Sequence, residues 1–323
     1  MLTPLIMTDI RFGVFIQQDS EVAEEVNLSK GPSFHVKVAE LAERLEYDSF
    51  WENDHWMLPK NKAVFDCWTL LSAISVVTNK IKLGSLVTPA TFLPPLALAK
   101  RVQTVHMLSA GRTILGLGAG WYREESPLFG MKFENHEKRI QRLEEEVNLI
   151  RLAWKSHEPV EYKGNFYNVH AAVMKPKSDL PPLWFGGTSD KIIEIAAKYG
   201  NGWIPYELSL NDFSTMVNKL REAIDRVGRK ASDIDVALCT RLVARKKREE
   251  VTQVLRSIHE SRDYLSHSGQ KGHLVAGTYE ECEEEVGEYI DAGVKHLVLS
   301  PQPSNQFDKL LEPTKGLLLS NLG

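Results

Sequence analysis

Short apolar runs alternate with amphipathic stretches along most of the chain. Eight runs have the composition of buried strands: Arg11–Ile16, Ser49–Asn53, Ile81–Val87, Thr113–Leu117, Pro182–Phe185, Gly202–Tyr206, Ile234–Ala244 and Lys295–Ser300. Helical spacing separates them, most clearly in His136–Trp154, where Ile140, Leu143, Val147 and Ile150 fall on one face. This alternation predicts an α/β fold, a (β/α)8 TIM barrel with insertions.

The rhythm breaks once, after the fourth unit. Val160–Val169 has two short β-type segments around Lys163-Gly164-Asn165, which predicts a hairpin insertion near residues 158–176. A chain of 323 residues is long enough for two domains, but α/β barrels of this size are commonly one. We therefore predict a single domain over residues 1–323.

Charge and cysteine usage exclude several classes of protein. The net charge of −4 and a pI near 6.2 give no reason to expect a nucleic-acid partner. Cys67, Cys239 and Cys282 are odd in number and far apart, which argues against disulfides or a zinc site and fits a reducing cytoplasm. No basic segment precedes the first apolar residues, and prolines interrupt the apolar stretch Leu83–Ala99. We expect a cytoplasmic protein without a signal peptide or a membrane partner.

Active sites of such barrels lie where the strands end. This rule selects Phe15, Gln17, Asp54, His55, residues 85–88, residues 118–123, residues 186–188, Trp203, Tyr206 and Ser300. The selected residues are rich in aromatic rings, glycines and hydroxyl groups and poor in metal ligands, so no metal site is expected. They suit a flat conjugated cofactor lying across the end of the barrel.

The stretch Thr113–Arg123, with the sequence TILGLGAGWYR, contains three glycines at alternate positions, Gly116, Gly118 and Gly120. Glycines at a strand end allow a ligand to approach the backbone, although they can equally serve close packing. The spacing differs from G-x-G-x-x-G, and a loop over residues 121–135 precedes the next predicted helix. Both features disfavour a dinucleotide-binding fold.

A second glycine pair, Gly186-Gly187-Thr188-Ser189, directly precedes a predicted helix. Free backbone N–H groups and the helix dipole favour an anion there, which predicts a phosphate site. The alternative is that Ser189 caps the helix and the glycines form a tight turn.

His55 is the titratable side chain best placed for proton transfer or for a hydrogen bond to a reacting oxygen. Asp54 could orient it or could bond backbone amides instead. Trp121 could form the wall of a substrate pocket or belong to the core, and its place at a strand end favours the wall.

Several motifs together resemble one family, the luciferase-like flavin- and deazaflavin-dependent oxidoreductases, and its F-420-dependent branch most. They are LEYDSFWENDH at 45–55, GSLVTP at 84–89, GLGAGWYREE at 116–125, FGGTS at 185–189, GNGWIP at 200–205, GTYEE at 277–281 and AGVKHLVLSP at 292–301. The likeness covers nearly the whole chain.

The resemblance implies a homodimeric barrel that binds FMN or the 8-hydroxy-5-deazaflavin coenzyme F-420 at the end where the strands finish. His55 would face the ring system with Asp54 beside it, and Ser85-Leu86 matches the place of a non-proline cis peptide bond. The other implied positions are Ser85, Leu86, Thr88, Gly118, Gly120 and Trp121 along the cofactor, Gly186, Gly187 and Thr188 at its phosphate, and Phe15, Trp121 and Trp203 in the substrate pocket.

One residue departs from the pattern of the sugar-phosphate dehydrogenases in the deazaflavin branch. Those enzymes carry an acidic proton donor after the Gly-x-Gly, where this chain has Trp121. The substitution argues against sugar-phosphate oxidation and suggests a less polar substrate.

The leading hypothesis is hydride transfer between coenzyme F-420 and a small organic substrate. The first alternative is a two-component monooxygenase that receives reduced FMN from a separate reductase and uses O2. The second is a cofactor-binding protein that has lost catalysis, because no second acid or base is evident beside His55.

Overall fold

The computed structural model describes residues 10–17, 28–58, 62–260 and 272–320. Its strands are β1 Arg11–Ile16, β2 Ser49–Glu52, β3 Lys82–Ser85, β4 Thr88–Pro89, β5 Thr113–Gly118, β6 Val160–Lys163, β7 Asn168–Ala172, β8 Leu183–Phe185, β9 Gly202–Trp203, β10 Asp235–Arg245, β11 Val275–Thr278 and β12 His296–Pro301.

Eight of these strands close a parallel barrel. They follow the order β1, β2, β3, β5, β8, β9, β10 and β12, and β12 pairs back onto β1. Phe15 is in register with Trp51, Leu117 with Phe185, and Cys239 with Val298. The predicted (β/α)8 barrel is confirmed.

Helices surround the barrel. They are α1 Ser33–Arg44, α2 Cys67–Val77, α3 Pro95–Leu108, α4 Glu125–Leu128, α5 His136–Lys155, α6 Asp190–Tyr199, α7 Leu210–Arg226, α8 Arg248–Glu260, α9 Tyr279–Asp291 and α10 Phe307–Ser320. Side-chain oxygens of Asp66, Asn135, Ser189, Ser209 and Thr278 accept backbone N–H groups at the starts of α2, α5, α6, α7 and α9. These caps satisfy donors that have no partner inside the helix.

Two apolar cores result from the alternation of side chains along the strands. The barrel interior holds Phe15, Trp51, Ile114, Trp184, Ile204, Ala237, Cys239 and Val298. The larger core lies between barrel and helices and includes Leu143, Val147 and Ile150 of α5, as the helical spacing predicts. Strand residues that point outward therefore contact helices, and those that point inward line the barrel.

Arg112 ties the end of α2 to the barrel. Its buried guanidinium donates to the carbonyls of Ser75, Thr78 and Ile81, at 2.7 to 2.8 Å. Those carbonyls lie in or just after the last turn of α2, where helix carbonyls lack partners. A single arginine therefore fixes where β3 begins.

The hairpin of β6 and β7 forms its own antiparallel sheet outside the barrel, where the sequence predicts one. Glu145 of α5 accepts backbone N–H groups of Asn165, Phe166 and Tyr167 in the hairpin turn. The hairpin is thus anchored on α5. That one domain spans all of residues 1–323 stays a prediction.

Some predicted elements differ from the observed ones. The third strand does not run to Val87: it ends at Ser85, and a cis peptide bond between Leu86 and Val87 separates β3 from β4. The cis bond lies one residue beyond the expected Ser85-Leu86 position. The sixth strand stops at Trp203, and Tyr206 makes only a single bridge to Cys239.

Two short elements lie where the sequence gives no periodic signal. Helix α4 occupies the middle of the predicted loop over residues 121–135 and is one turn long. Strand β11 pairs with the second half of β10, outside the closed ring. Four residues are too few to establish either a helical or a strand period. No helix in the described ranges is long and apolar enough to cross a membrane.

The segment Ser85–Val87 packs directly against glycines of two neighbouring strand ends. The Ser85 hydroxyl donates to the Gly116 carbonyl and accepts the Gly116 N–H, at 3.0 and 3.1 Å. A Cβ on Gly118 would lie 2.7 Å from Val87 Cγ2, and one on Gly186 would lie 2.9 Å from Val87 Cγ1. The space beside these glycines is therefore occupied by the protein's own segment Ser85–Val87.

We predict that Gly116→Ala destabilises the protein by about 3 kcal/mol, because the new Cβ would overlap the Ser85 carbonyl oxygen. Gly287→Ala in α9 is the matched control, since nothing lies within 4 Å of its Cβ position. The control should raise stability by up to about 1 kcal/mol. Urea unfolding of both variants checks this, and equal effects would contradict the packing described.

Candidate active site

The floor of the candidate site lies inside the barrel at the end where the strands finish. Phe15 and the side chains of Leu86, Val87 and Tyr206 pack on the interior core there. The Phe15 and Tyr206 rings meet edge to face, with centroids 6.3 Å apart. The result is an apolar floor formed by β1, the segment between β3 and β4, and the segment that follows β9.

His55, the predicted proton-transfer residue, is held by a carboxylate from another loop. Its Nδ1 lies 2.9 Å from Glu125 Oε2, and the two side chains are 13% and 2% exposed. Glu125 Oε1 accepts the backbone N–H groups of Trp56 and Met57 at 2.5 and 2.9 Å. With Glu125 as an ionised carboxylate, which can only accept, the Nδ1 proton lies toward Oε2 and Nε2 is left as an acceptor.

Asp54 takes no part in the hydrogen bond of His55. It belongs instead to a buried chain of hydrogen bonds. Trp68 Nε1 donates to Thr88 Oγ1 at 3.0 Å, and Thr88 Oγ1 donates to Asp54 Oδ2 at 2.7 Å. Burial raises the pKa of Asp54 to about 6, and the charges of Asp66 and Glu125 oppose ionisation further. The Thr88 hydrogen bond and His55 act in the other direction.

A small side pocket opens beside His55. It has a volume of about 340 Å³ and is lined by His55, Trp56, Val64, Asp66 and Phe129. The Trp56 ring stacks on Phe92 with centroids 4.4 Å apart and tilts against Phe129 at 5.1 Å. This volume is at the small end of the range for organic ligands.

Trp121 stands at the rim of the site. Its ring meets the His55 imidazole edge to face at 5.8 Å, and the side chain is 42% exposed. That Trp121 forms a wall of the substrate pocket stays a prediction.

Gly186–Thr188 forms the turn between β8 and α6. Gly187 has φ +120°, and its carbonyl accepts from Trp203 Nε1 at 2.9 Å. Ser189 caps α6, with its hydroxyl 3.4 Å from Ile192 N. The cap and a phosphate site are compatible, because capping satisfies only one of the free N–H groups of the first turn.

Trp203 does not line the substrate pocket. Its side chain is completely buried on the outer side of the barrel, nearly parallel to the Phe213 ring of α7 at 6.0 Å. In a strand of two residues the sequence alone does not decide which side faces inward. Trp203 instead supports the Gly187 turn from behind.

The predicted cofactor residues do not all offer free groups. The Ser85 hydroxyl donates a hydrogen bond to the Gly116 carbonyl, and the Thr88 hydroxyl donates one to Asp54. Gly120 has φ +75°, and its carbonyl accepts from Arg139. Of the residues expected along the cofactor ring system, Leu86 is the one that packs on the interior core and forms part of the floor of the site.

Asn53 offers an unmatched polar atom at the same end of the barrel. It follows β2 on the inward-facing side shared by Ser49 and Trp51, is 6% exposed, and its Oδ1 has no hydrogen-bond partner among the described residues. Buried acceptors of this kind are normally satisfied. The atom therefore fits a ligand that brings an N–H donor onto the apolar floor.

A layer of polar side chains also lies at this end of the barrel. Gln17 donates to the Tyr206 hydroxyl at 3.1 Å, and Gln302 donates to Gln17 Oε1 at 3.4 Å. Arg241 and Glu207 form a buried two-pronged ion pair next to them. The site thus combines an apolar floor, a histidine and a hydrogen-bonding layer.

A larger cavity, of about 890 Å³, lies at the other end of the barrel, where the strands begin. Its rim mixes both signs of charge, including the Arg11–Asp235 ion pair. The floor contains buried His296, which bonds Ser49 through Nε2. Since barrel active sites lie at the opposite end, the smaller pocket beside His55 is the catalytic candidate.

Sequence reasoning missed Glu125 and Asn53. Glu125 follows Trp121 by one helical turn in GWYREE, and this spacing is the only local signal for it. The expectation that no second acid stands beside His55 is wrong, because Glu125 does.

Comparison with known families gives a match over most of the chain. The model of the family described as luciferase-like monooxygenase matches residues 10–270. The F-420-dependent glucose-6-phosphate dehydrogenase of Amycolatopsis mediterranei is 26% identical over 297 residues, which cover 83% of this chain and 88% of that enzyme.

Solved structures show the same fold. An F-420-dependent secondary alcohol dehydrogenase in complex with an F-420-acetone adduct has a TM-score of 0.81 at 20% identity, covering 96% of this chain and 99% of that chain. Monooxygenase RslO1 from Streptomyces bottropensis has a TM-score of 0.81 at 17% identity, covering 97% and 100%. At these identities the likeness concerns the fold alone.

The raised pKa of Asp54 predicts that the free energy of unfolding falls as the pH rises. An unfolded aspartate ionises near pH 3.8, whereas Asp54 in the fold stays protonated to about pH 6, so rising pH lowers stability through this window. Asp54→Asn keeps an acceptor for Thr88 and removes the charge. The stability of Asp54→Asn relative to wild type should therefore rise by about 2 kcal/mol between pH 4.5 and pH 7.

Urea unfolding across that pH range measures this difference. Asp190→Asn serves as control, because Asp190 is exposed and paired with Lys219 on the surface. Parallel stability curves for Asp54→Asn and wild type would contradict the buried, protonated state of Asp54.

Proposed function

This chain belongs to the luciferase-like monooxygenase family and is a flavin- or deazaflavin-dependent oxidoreductase, and we propose that it transfers a hydride between coenzyme F-420 and a small organic substrate. The observation that carries the proposal is the His55–Glu125 pair beside an apolar floor. A hydride transfer to or from a C=O or C=N group needs one proton relay, and this pair supplies it.

The choice of the deazaflavin over FMN rests on the similarity to an F-420-dependent dehydrogenase over most of both chains. The residues present fit such a ring. Leu86, Val87 and Phe15 would support its flat face, and Asn53 Oδ1 would accept an N–H from its edge. Gly186–Thr188 would bind the phosphate.

The bound cofactor would supply or accept the hydride, and the protein would position the reactants and move the proton. His55 Nε2 takes a proton from a substrate hydroxyl or amine in one direction and returns it in the other. Glu125 keeps the proton on Nδ1 and stabilises the imidazolium that forms. Glu125 lies behind His55 and would not touch the substrate. It therefore does not take the place of the acidic proton donor that the sugar-phosphate dehydrogenases carry at the position of Trp121.

The proposal is tested by titrating the apoprotein with F-420 and with FMN, each oxidised and reduced, and following the fluorescence. We expect F-420 to bind at least about tenfold more tightly than FMN. Oxygen consumption with reduced FMN and a bound substrate would instead support the two-component monooxygenase. If neither cofactor bound, the assigned floor and phosphate turn would be wrong.

His55→Ala separates binding from catalysis. It should bind F-420 within about twofold of wild type but transfer hydride at least about a hundredfold more slowly, because the proton relay is lost. His136→Ala, at the exposed start of α5, is the matched control and should behave as wild type. Unchanged hydride transfer in His55→Ala would contradict the assigned role.

A further inference from the structure

We infer that the substrate binds as a cation, a protonated imine or iminium whose C=N carbon exchanges the hydride, in the side pocket lined by His55, Trp56, Val64, Asp66 and Phe129. This inference rests on the proposed function and names the substrate class of the same site. Three features of the pocket carry it: a carboxylate in its lining, the absence of a basic side chain other than His55 from the described lining, and aromatic faces.

The carboxylate is that of Asp66, at the start of α2. Its Oδ1 accepts the backbone N–H of Thr69 at 2.8 Å and the Thr69 hydroxyl at 2.6 Å. Its Oδ2 has no partner among the described residues, and the side chain is half-buried. One carboxylate oxygen is therefore available to the pocket, and it repels an anionic substrate.

The surroundings reinforce this negative potential. Glu125 lies behind His55, and the charges of both Asp66 and Glu125 disfavour the charged form of Asp54. No Lys or Arg is among the described residues that line the pocket. A sugar phosphate would meet the Asp66 carboxylate there with no Lys or Arg among the described lining residues to offset the repulsion, whereas an iminium would be attracted.

The aromatic rings supply the rest of the recognition. Trp56 is held in place by stacking on Phe92, and Phe129 closes against it. The faces of such rings attract organic cations, and tryptophan does so most strongly. A neutral ketone of the same size would gain only apolar contact.

The reaction balances with groups already named. A neutral imine takes its proton from the His55 imidazolium and becomes the cation that the pocket favours. The C=N carbon then accepts a hydride, and the C=N π electrons move onto nitrogen, which gives a neutral amine. The two electrons come from the reduced deazaflavin of the proposed function, which is oxidised in the step.

The direct test compares two bicyclic probes on the unaltered apoprotein by calorimetry. N-methyl-3,4-dihydroisoquinolinium is a cationic iminium, and 1-tetralone is a neutral ketone of similar size. We expect the cation to bind at least about tenfold more tightly. Equal affinities, or tighter binding of 1-tetralone, would overturn the inference without any substitution being made.

Asp66→Asn tests the origin of that preference. Asparagine caps helices as well as aspartate, so the fold is retained while the charge is removed. The cation should lose about tenfold in affinity and 1-tetralone less than about twofold. Glu124→Gln removes one charge from an exposed position on the adjacent loop and should change neither affinity by more than about twofold.

An unchanged affinity of Asp66→Asn for the cation would contradict the assignment of the carboxylate. A parallel F-420 titration separates the two proposals. F-420 binding without a preference for the cation would overturn the substrate class alone. A preference for the cation without F-420 binding would support the cation pocket and contradict the proposed hydride transfer.

Discussion

The geometry of the site depends on the close packing of Ser85–Val87 against Gly116, Gly118 and Gly186. Ser85 is bonded twice to β5, and Val87 fills space that any larger residue at the three glycines would occupy. The next residue, Thr88, reaches Asp54. This short segment therefore joins the floor of the barrel to the end of β2, where His55 begins its loop. A change at one glycine would move the floor and the hydrogen-bond partner of Asp54 together.

In the proposed function, His55 and Glu125 supply the proton transfer and the cofactor supplies the redox chemistry. The flavin or deazaflavin carries the redox step, and the protein needs only an oriented proton relay and a pocket of suitable charge. Glu125 accepts two backbone N–H groups of the loop that follows His55 as well as the imidazole itself. One carboxylate thus shapes the loop and selects the tautomer, which links the position of Trp56 in the side pocket to the state of His55.

The barrel could be predicted from sequence because its periodicities are local, and the strand-end rule then selected His55, Asp54 and Trp121 as candidates. The pairing of His55 with Glu125 could not, since the partners are 70 residues apart and the strands that precede them, β2 and β5, come together only by pairing on either side of β3. The glycines of β5 looked like openings for a ligand but receive Val87, which sequence cannot show. Trp203 was wrongly placed in the pocket because a two-residue strand leaves its facing undecided.

The most direct test of the account is the tautomer of His55 in the apoprotein, observed by long-range proton–nitrogen NMR with labelled histidine. In its neutral form, wild-type His55 should carry its proton on Nδ1 and leave Nε2 free to accept one. In Glu125→Gln the new amide donates toward Nδ1, so the proton should move to Nε2. A wild-type His55 protonated on Nε2, or a tautomer that Glu125→Gln leaves unchanged, would contradict the central role of this pair.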